Sequence, residues 1–237
     1  RTSDNPFLPQ QRRDALYARY GGTAIGRQEL DAEILDDVEG ALWRRALIRY
    51  QAPPQRMVAG KWVGPDLVRV AVGVDPAVTS GEDSDETGIV VSGIAASGHG
   101  YTLADLSGRM APAVWARRVV DAYHEFEADA VIAEANNGGD LVATVIAQVD
   151  PTVPVTLVHA SRSKRTRADP VVMPYEQSRW WHAAPMPELE DQLCSYTGAP
   201  GEKSPDRMDA HVWAASWLLG IDAGAKSWGA GPVWGAA

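Results

Sequence analysis

The clearest pattern in the chain begins at residue 67. In LVRVAVGVD (67–75) the positions alternate with period two: Val68, Val70, Val72 and Val74 fall on one face of a strand, and Arg69, Ala71, Gly73 and Asp75 on the other. GIVVSGIAAS (88–97) and YTLADLSGR (101–109) read as two more strands, close enough in sequence to pair as antiparallel hairpins. The period then lengthens. Residues 111–127 predict a helix feeding a short buried strand, ADAVIAEA (128–135), followed by a helix over 139–148 and a strand, VPVTLVHA (153–160). A basic loop, SRSKRTR (161–167), and a proline-interrupted stretch holding Arg179-Trp180-Trp181-His182 lead to a helix over 187–197 that stops at Gly198. A last helix is predicted from Pro205 to Leu219, with Ser204 as N-cap, Pro205 at the first helical position and Gly220 as the stop. Met208, Val212, Ala215 and Leu219 form its core stripe. Hairpin strands followed by alternating helices and strands predict an α/β layered fold with a mixed sheet.

The first sixty residues read differently. Residues 8–20 predict a helix ending at Gly21-Gly22, and residues 27–49 place Leu30, Ile34, Leu35, Val38, Leu42 and Leu47 near helical spacing, with Gly40 as a weak point. APPQRMVAGKWVGP (52–65) reads as a linker. The expectation is therefore a helical arm over 1–60 without a core of its own, a main domain over 61–221, and a mobile Gly/Ala-rich tail over 222–237.

Composition narrows the class. With 45% hydrophobic and 22% charged residues in 237, the chain is an ordinary globular one. No apolar run reaches the roughly 18 residues needed to span a bilayer, and the start is not a signal peptide. The chain does not open on Met and is expected to be a processed or truncated piece. Its lone cysteine, Cys194, excludes an internal disulfide and fits a reducing compartment. Five scattered histidines offer no zinc spacing, so a metal here would be a hard ion held by carboxylates. Net charge is −9; residues 1–60 hold nine basic and eight acidic side chains, leaving 13 basic against 23 acidic in residues 61–237. Acting on DNA would need a local basic patch, a metal or help from elsewhere.

Three acids stand out by position. Asp75 ends the first strand on its small-residue face, Glu134 ends AVIAEA on the face of Ala130 and Ile132, and Asp209 lies early in the last helix beside Asp206. Sites in open α/β sheets form outside the carboxyl ends of strands, so these acids converge if the strands are neighbours and the helix starts at that edge. Clustered carboxylates raise each other's pKa, and two Mg²⁺ or Mn²⁺ ions turn that repulsion into binding. Three of these acids also have a plainer reading: Asp75 before Pro76 can open a turn, Glu134 can face water, and Asp206 can serve the helix dipole, whereas Asp209 adjoins the buried face and is less easily dismissed. Asp140 reads as a helix-start acid or an accessory to the site, and Asp85 as part of a solvated loop that could reach the metals. Arg162, Lys164, Arg165 and Arg167 form the densest positive patch of the acidic part, suited to phosphate contact, and Lys164 could also stabilise charge on the phosphate being cut. Trp180-Trp181 is expected mainly in the core, with base stacking as the minor alternative.

Several long stretches, in order, resemble one family: YGGTAIGRQELDAEILDDVEGALW (20–43), VGVDPAVTSGEDSDETGIVV (72–91), AEANNGGD (133–140), HASRSKRTRADPV (159–171), YEQSRWWH (175–182), LEDQL (189–193) and SPDRMDAHVWA (204–214). The chain resembles the C-terminal nuclease domain of the large terminase subunit of tailed bacteriophages and gene transfer agents. The resemblance implies a ribonuclease H-like (RuvC-like) fold, a central mixed sheet flanked by helices, and a metal-dependent endonuclease that cuts concatemeric DNA during packaging. It implies metal-holding roles for Asp75, Glu134 and Asp209, with Asp206 as accessory, and two divalent ions as cofactors. Double-stranded DNA, the subunit's ATPase motor, the portal and the small terminase subunit are the partners it implies, in the bacterial cytoplasm and without a membrane. The chain lacks a G-x-x-x-x-G-K-[ST] loop, so residues 1–60 are expected to follow an absent motor and no ATPase activity is expected. Rival readings are a junction resolvase or transposase of the same superfold, a non-catalytic docking module of the motor, and a sugar-kinase-like fold lacking its second phosphate loop.

Overall fold

The computed structural model describes residues 2–5, 7–20, 30, 38–59, 61–76, 86–135, 139–160, 163–199, 202 and 205–221. Asp85, Arg162, Ser204, the Asp140 side chain, the Gly21-Gly22 stop, much of the second predicted arm helix and the tail from 222 lie outside that description. The first elements are α1 (Gln10–Tyr20), β1 (Gln55–Val58), β2 (Lys61–Pro65), β3 (Arg69–Asp75), β4 (Gly88–Ile94) and β5 (Gly100–Asp105). Then come α2 (Pro112–Glu125), β6 (Ala130–Glu134), α3 (Gly139–Val149), β7 (Val155–Val158), α4 (Lys164–Glu176), β8 (Trp180–His182), α5 (Pro187–Ser195) and α6 (Asp206–Leu218). Among the described residues no helix is long and apolar enough to cross a membrane.

Six strands form one mixed sheet in the order β7-β6-β3-β4-β5-β8. β3, β4 and β5 pair antiparallel as successive hairpins, while β6 joins β3, β7 joins β6 and β8 joins β5 in parallel. The alternation in β3 decides what covers each face. Val70, Val72 and Val74 pack with Ile89, Val91 and the apolar sides of α2 and α3. Ala71 faces the opposite layer, where α6 crosses the sheet and is flanked by α4 and α5. There Arg69 lays its guanidinium over the Trp217 ring, 3.7 Å from the centroid. α6 is buried on nearly every side, which explains why its sequence carries no single polar stripe.

Three stretches differ from their sequence reading. Residues 38–51 form no arm helix: they hold the short 3-10 turn Arg45–Leu47, and Arg49–Gln51 pair with β8 at the sheet edge. The Arg49 carbonyl accepts from the His182 N–H and the Gln51 N–H donates to the His182 carbonyl, so this backbone is spent on β8 rather than on a helix. Trp43 is fully buried in the α6-side core. The supposed linker is the β1–β2 hairpin, with Val58 opposite Lys61 and Ala59 in the left-handed region at φ 47°. The basic loop becomes helical from Lys164, with Ser163 as its N-cap accepting from the Thr166 N–H. α4 continues through Pro170 and Pro174, whose four-residue spacing confines the missing donors to one side.

A polar chain, buried from Glu190 onward, ties the edge segment to α6. The Tyr50 hydroxyl donates to Glu190 (2.8 Å), and Glu190 pairs with His182 Nδ1 (3.0 Å). The Tyr175 hydroxyl then joins His182 Nε2 and His211 Nε2 at 3.0 and 2.9 Å. Burial pushes the His211 imidazole down to about 3, so it sits neutral in α6.

Candidate active site

β3 and β6 run parallel with Val74 beside Ala133, so the residues that follow, Asp75 and Glu134, end their strands side by side. By parity both lie on the α6 side, like Ala71, Ala130 and Ile132. The third carboxylate depends on how closely α6 approaches. A β-carbon added at Gly73 would overlap the Ala210 carbonyl, and one at Gly88 would overlap the Asp206 carbonyl. These two glycines, in adjacent strands, let the α6 backbone rest on the sheet and bring its first turn to the acidic edge.

Two side chains fix that first turn, and neither was singled out as functional in the sequence. Gln192 of α5 accepts hydrogen bonds from the N–H groups of Arg207 (2.8 Å) and Met208 (3.2 Å). It thereby supplies the capping that Pro205 at the N-cap cannot. Arg207 donates to both carboxylate oxygens of Glu86 (3.0 and 3.2 Å) and to Asp105 (2.6 Å), joining α6 to the starts of β4 and the end of β5. Both lie inside stretches quoted above, LEDQL and SPDRMD, but their partners are far away in sequence.

The electrostatics of the edge are those of crowded anions. Burial first, then Asp209 and Glu134, push the Asp75 carboxyl well above its usual range; Lys164 offsets part of this, and Asp206 adds a smaller push. Asp209 thus acts on Asp75 more strongly than Asp206 does. Lys164 Nζ pairs with Asp209 Oδ2, and although burial opposes its charge, Asp209 and Asp75 hold its ammonium above the usual range. Arg167 lies between Asp209 (3.4 Å) and Glu134 (3.7 Å), over the face of Trp213. Its burial differs from the DNA-facing position expected for it. Arg165 is exposed and donates to the carbonyls of Gly40 and Thr197. Trp180 is fully buried, and Trp181 stacks on Tyr101 at 5.5 Å.

Among the described residues no three His, Cys, Asp or Glu side chains stand together as a ready metal cage. The donor chemistry nonetheless fits hard divalent ions. Asp75, Glu134, Asp206 and Asp209 contribute only carboxylate oxygens, and Lys164 and Arg167 leave a formal excess of two negative charges among them.

Several solved structures share the fold, and three of them illustrate it. The large terminase nuclease of thermophilic phage G20c aligns at 15% identity and TM-score 0.50, over 72% of this chain and 94% of that one. The large terminase of another thermophilic bacteriophage aligns at 14% identity and TM-score 0.55, over 92% of this chain and 55% of that one. The HK97 bacteriophage large terminase aligns at 11% identity and TM-score 0.52, over 89% of this chain and 51% of that one. This chain therefore spans about half the length of those two larger proteins. No curated protein is matched. The model of the terminase RNaseH-like domain matches residues 72–217, from the middle of β3 to the end of α6, and so takes in every carboxylate of the site. The chain belongs to the terminase RNaseH-like domain family.

Proposed function

We propose that this chain is the metal-dependent endonuclease part of a packaging terminase, hydrolysing phosphodiester bonds of concatemeric double-stranded DNA as a virus or gene transfer agent fills its particle. The observation that carries this reading is the meeting of Asp75, Glu134 and the first turn of α6 at one sheet edge, with the Asp75 carboxyl disfavoured as an anion until further positive charge arrives. Asp75, Glu134 and Asp209 would hold two Mg²⁺ or Mn²⁺ ions, with Asp206 as accessory. Held there, such ions would stabilise charge on the attacking and leaving oxygens of the phosphodiester. Asp75, which feels both Asp209 and Glu134, is the carboxylate suited to being shared. Lys164 at the rim keeps a positive charge beside the scissile phosphate, and Arg165 contacts the flanking backbone without reading sequence. The acidic balance of residues 61–237 supports leaving much of the grip on DNA to the ATPase motor, portal and small subunit, in the cytoplasm of the bacterial host.

The test is cleavage of supercoiled plasmid by the purified chain in Mn²⁺, Mg²⁺ or EDTA. Nicking and linearisation are expected with either metal, none in EDTA, and none from Asp75→Asn, whose circular dichroism should match the parent. Cleavage by Asp75→Asn would overturn the assignment.

A further inference from the structure

The cations of the site come from the first turn of α4, three residues apart and on one face, yet they sit at different depths. Lys164 is 30% exposed at the mouth, whereas the Arg167 side chain is 5% exposed. A buried arginine usually spends its five donors on hydrogen bonds. Here Nη2 lies 3.4 Å from Asp209 Oδ1, and Nη1 lies 3.7 Å from Glu134 Oε2, too far for a hydrogen bond. Among the described residues, Nε and Nη1 have no hydrogen-bond partner. The guanidinium plane is held instead by the Trp213 ring, with Cζ 4.3 Å from its centroid. Trp213 is itself fully buried one turn beyond Asp209.

This arrangement neutralises charge without fastening it. Resting on the nuclease reading above, we infer that Arg167 is a resident counter-ion that holds Glu134 and Asp209 together before metal binds and competes with divalent ions for them. Its loose bonding on the acid side makes it displaceable, and its seat on Trp213 keeps the cation beside the site after the acids are taken. The role is one of positioning and of tuning metal affinity, distinct from the phosphate contact assigned to Lys164. A fixed positive charge this close opposes a divalent ion strongly at the effective dielectric of a protein interior.

Calorimetric titration with MnCl₂ alone, without DNA, tests the inference on the parent, Arg167→Gln and Arg167→Lys, alongside melting in EDTA and in Mn²⁺. Arg167→Gln is expected to melt lower than the parent in EDTA, to bind Mn²⁺ about tenfold more tightly or better, and to gain more in melting temperature from Mn²⁺. Arg167→Lys, which keeps the charge, should stay near the parent in affinity. Should the glutamine variant fold only with Mn²⁺ present, the inference is supported in its strongest form. If it binds Mn²⁺ no more tightly than the parent, or if neither variant differs from the parent in its response to metal, the inference is overturned while the nuclease reading stands. A parent that takes up no Mn²⁺ overturns both.

Discussion

Seating α6 on two glycines makes Gly73→Ala a sharp test of how the site is built. Gly73 lies within β3, outside the left-handed region, so alanine brings no backbone strain and by itself stabilises by about 0.4–1 kcal/mol through the unfolded chain. Against this, its methyl would overlap the Ala210 carbonyl and press on the Ala214 β-carbon at 3.0 Å. Neither can yield cheaply, since one is helix backbone and both belong to fully buried residues, Ala210 and Ala214. Moving the Ala210 carbonyl from 2.0 Å to ordinary contact at 3.4 Å requires α6 to retreat by 1.4 Å, and such overpacking costs about 1–3 kcal/mol or more. The clash outweighs the entropy gain. A net loss of about 1–2 kcal/mol corresponds to a melting temperature lower by roughly 2–8 °C in a chain this size. Activity should suffer more, because a shift of about 1 Å in a positioned group can cost about 10²-fold in rate. The assay pairs thermal unfolding with plasmid nicking, and Gly108→Ala serves as the control, since its nearest neighbour there is Met110 Cε at 3.9 Å. Equal melting and nicking within about threefold of the parent would refute the seating argument.

Two further outcomes follow from the edge segment and its polar chain. Trp43→Ala empties a fully buried site and should destabilise by about 3–5 kcal/mol; unchanged urea unfolding would mean that residues 38–51 are a dispensable arm after all. Burial alone would lift the Glu190 carboxyl, but His182, the Met186 N–H and the Tyr50 hydroxyl together hold it below its ordinary 4.5. A lowered carboxyl stabilises the fold above its unfolded value, and the contribution is lost as pH falls from about 4.5 through the folded value. Urea midpoints should therefore drop more steeply below pH 4.5 in the parent than in Glu190→Gln, and parallel curves would count against the chain.

What could be read from the sequence was what period and parity control. The alternation in LVRVAVGVD put Asp75 on the face that carries Gly73, and the same parity put Glu134 with Ala130 and Ile132; the α6 layer covers that face. The boundaries of α2, α3, α5 and α6 follow from local apolar spacing and lie within two residues of the prediction. The failures share a different cause. Leu42 and Leu47 fit a helical stripe, but residues 42–51 are claimed by α5 and β8, through Arg45 with Asp191, Tyr50 with Glu190 and the backbone bonds to His182. Those partners lie more than a hundred residues away, and no local pattern announces them.

The basic run shows the same limit at the site itself. As a loop, SRSKRTR offers interchangeable positive charges for phosphates. Once Ser163 caps a helix, Lys164 and Arg167 become neighbours on one face, and depth along that face separates them. Lys164 reaches the rim and Arg165 stays outside, while Arg167 descends onto Trp213 between two acids. The distinction matters because, among the described residues, the four carboxylates meet two cations, Lys164 and Arg167. Had Lys164 and Arg167 both turned outward, nothing in the first turn of α4 would offset the repulsion among Asp75, Glu134 and Asp209. Charge that looks like surface in the sequence is thus partly core.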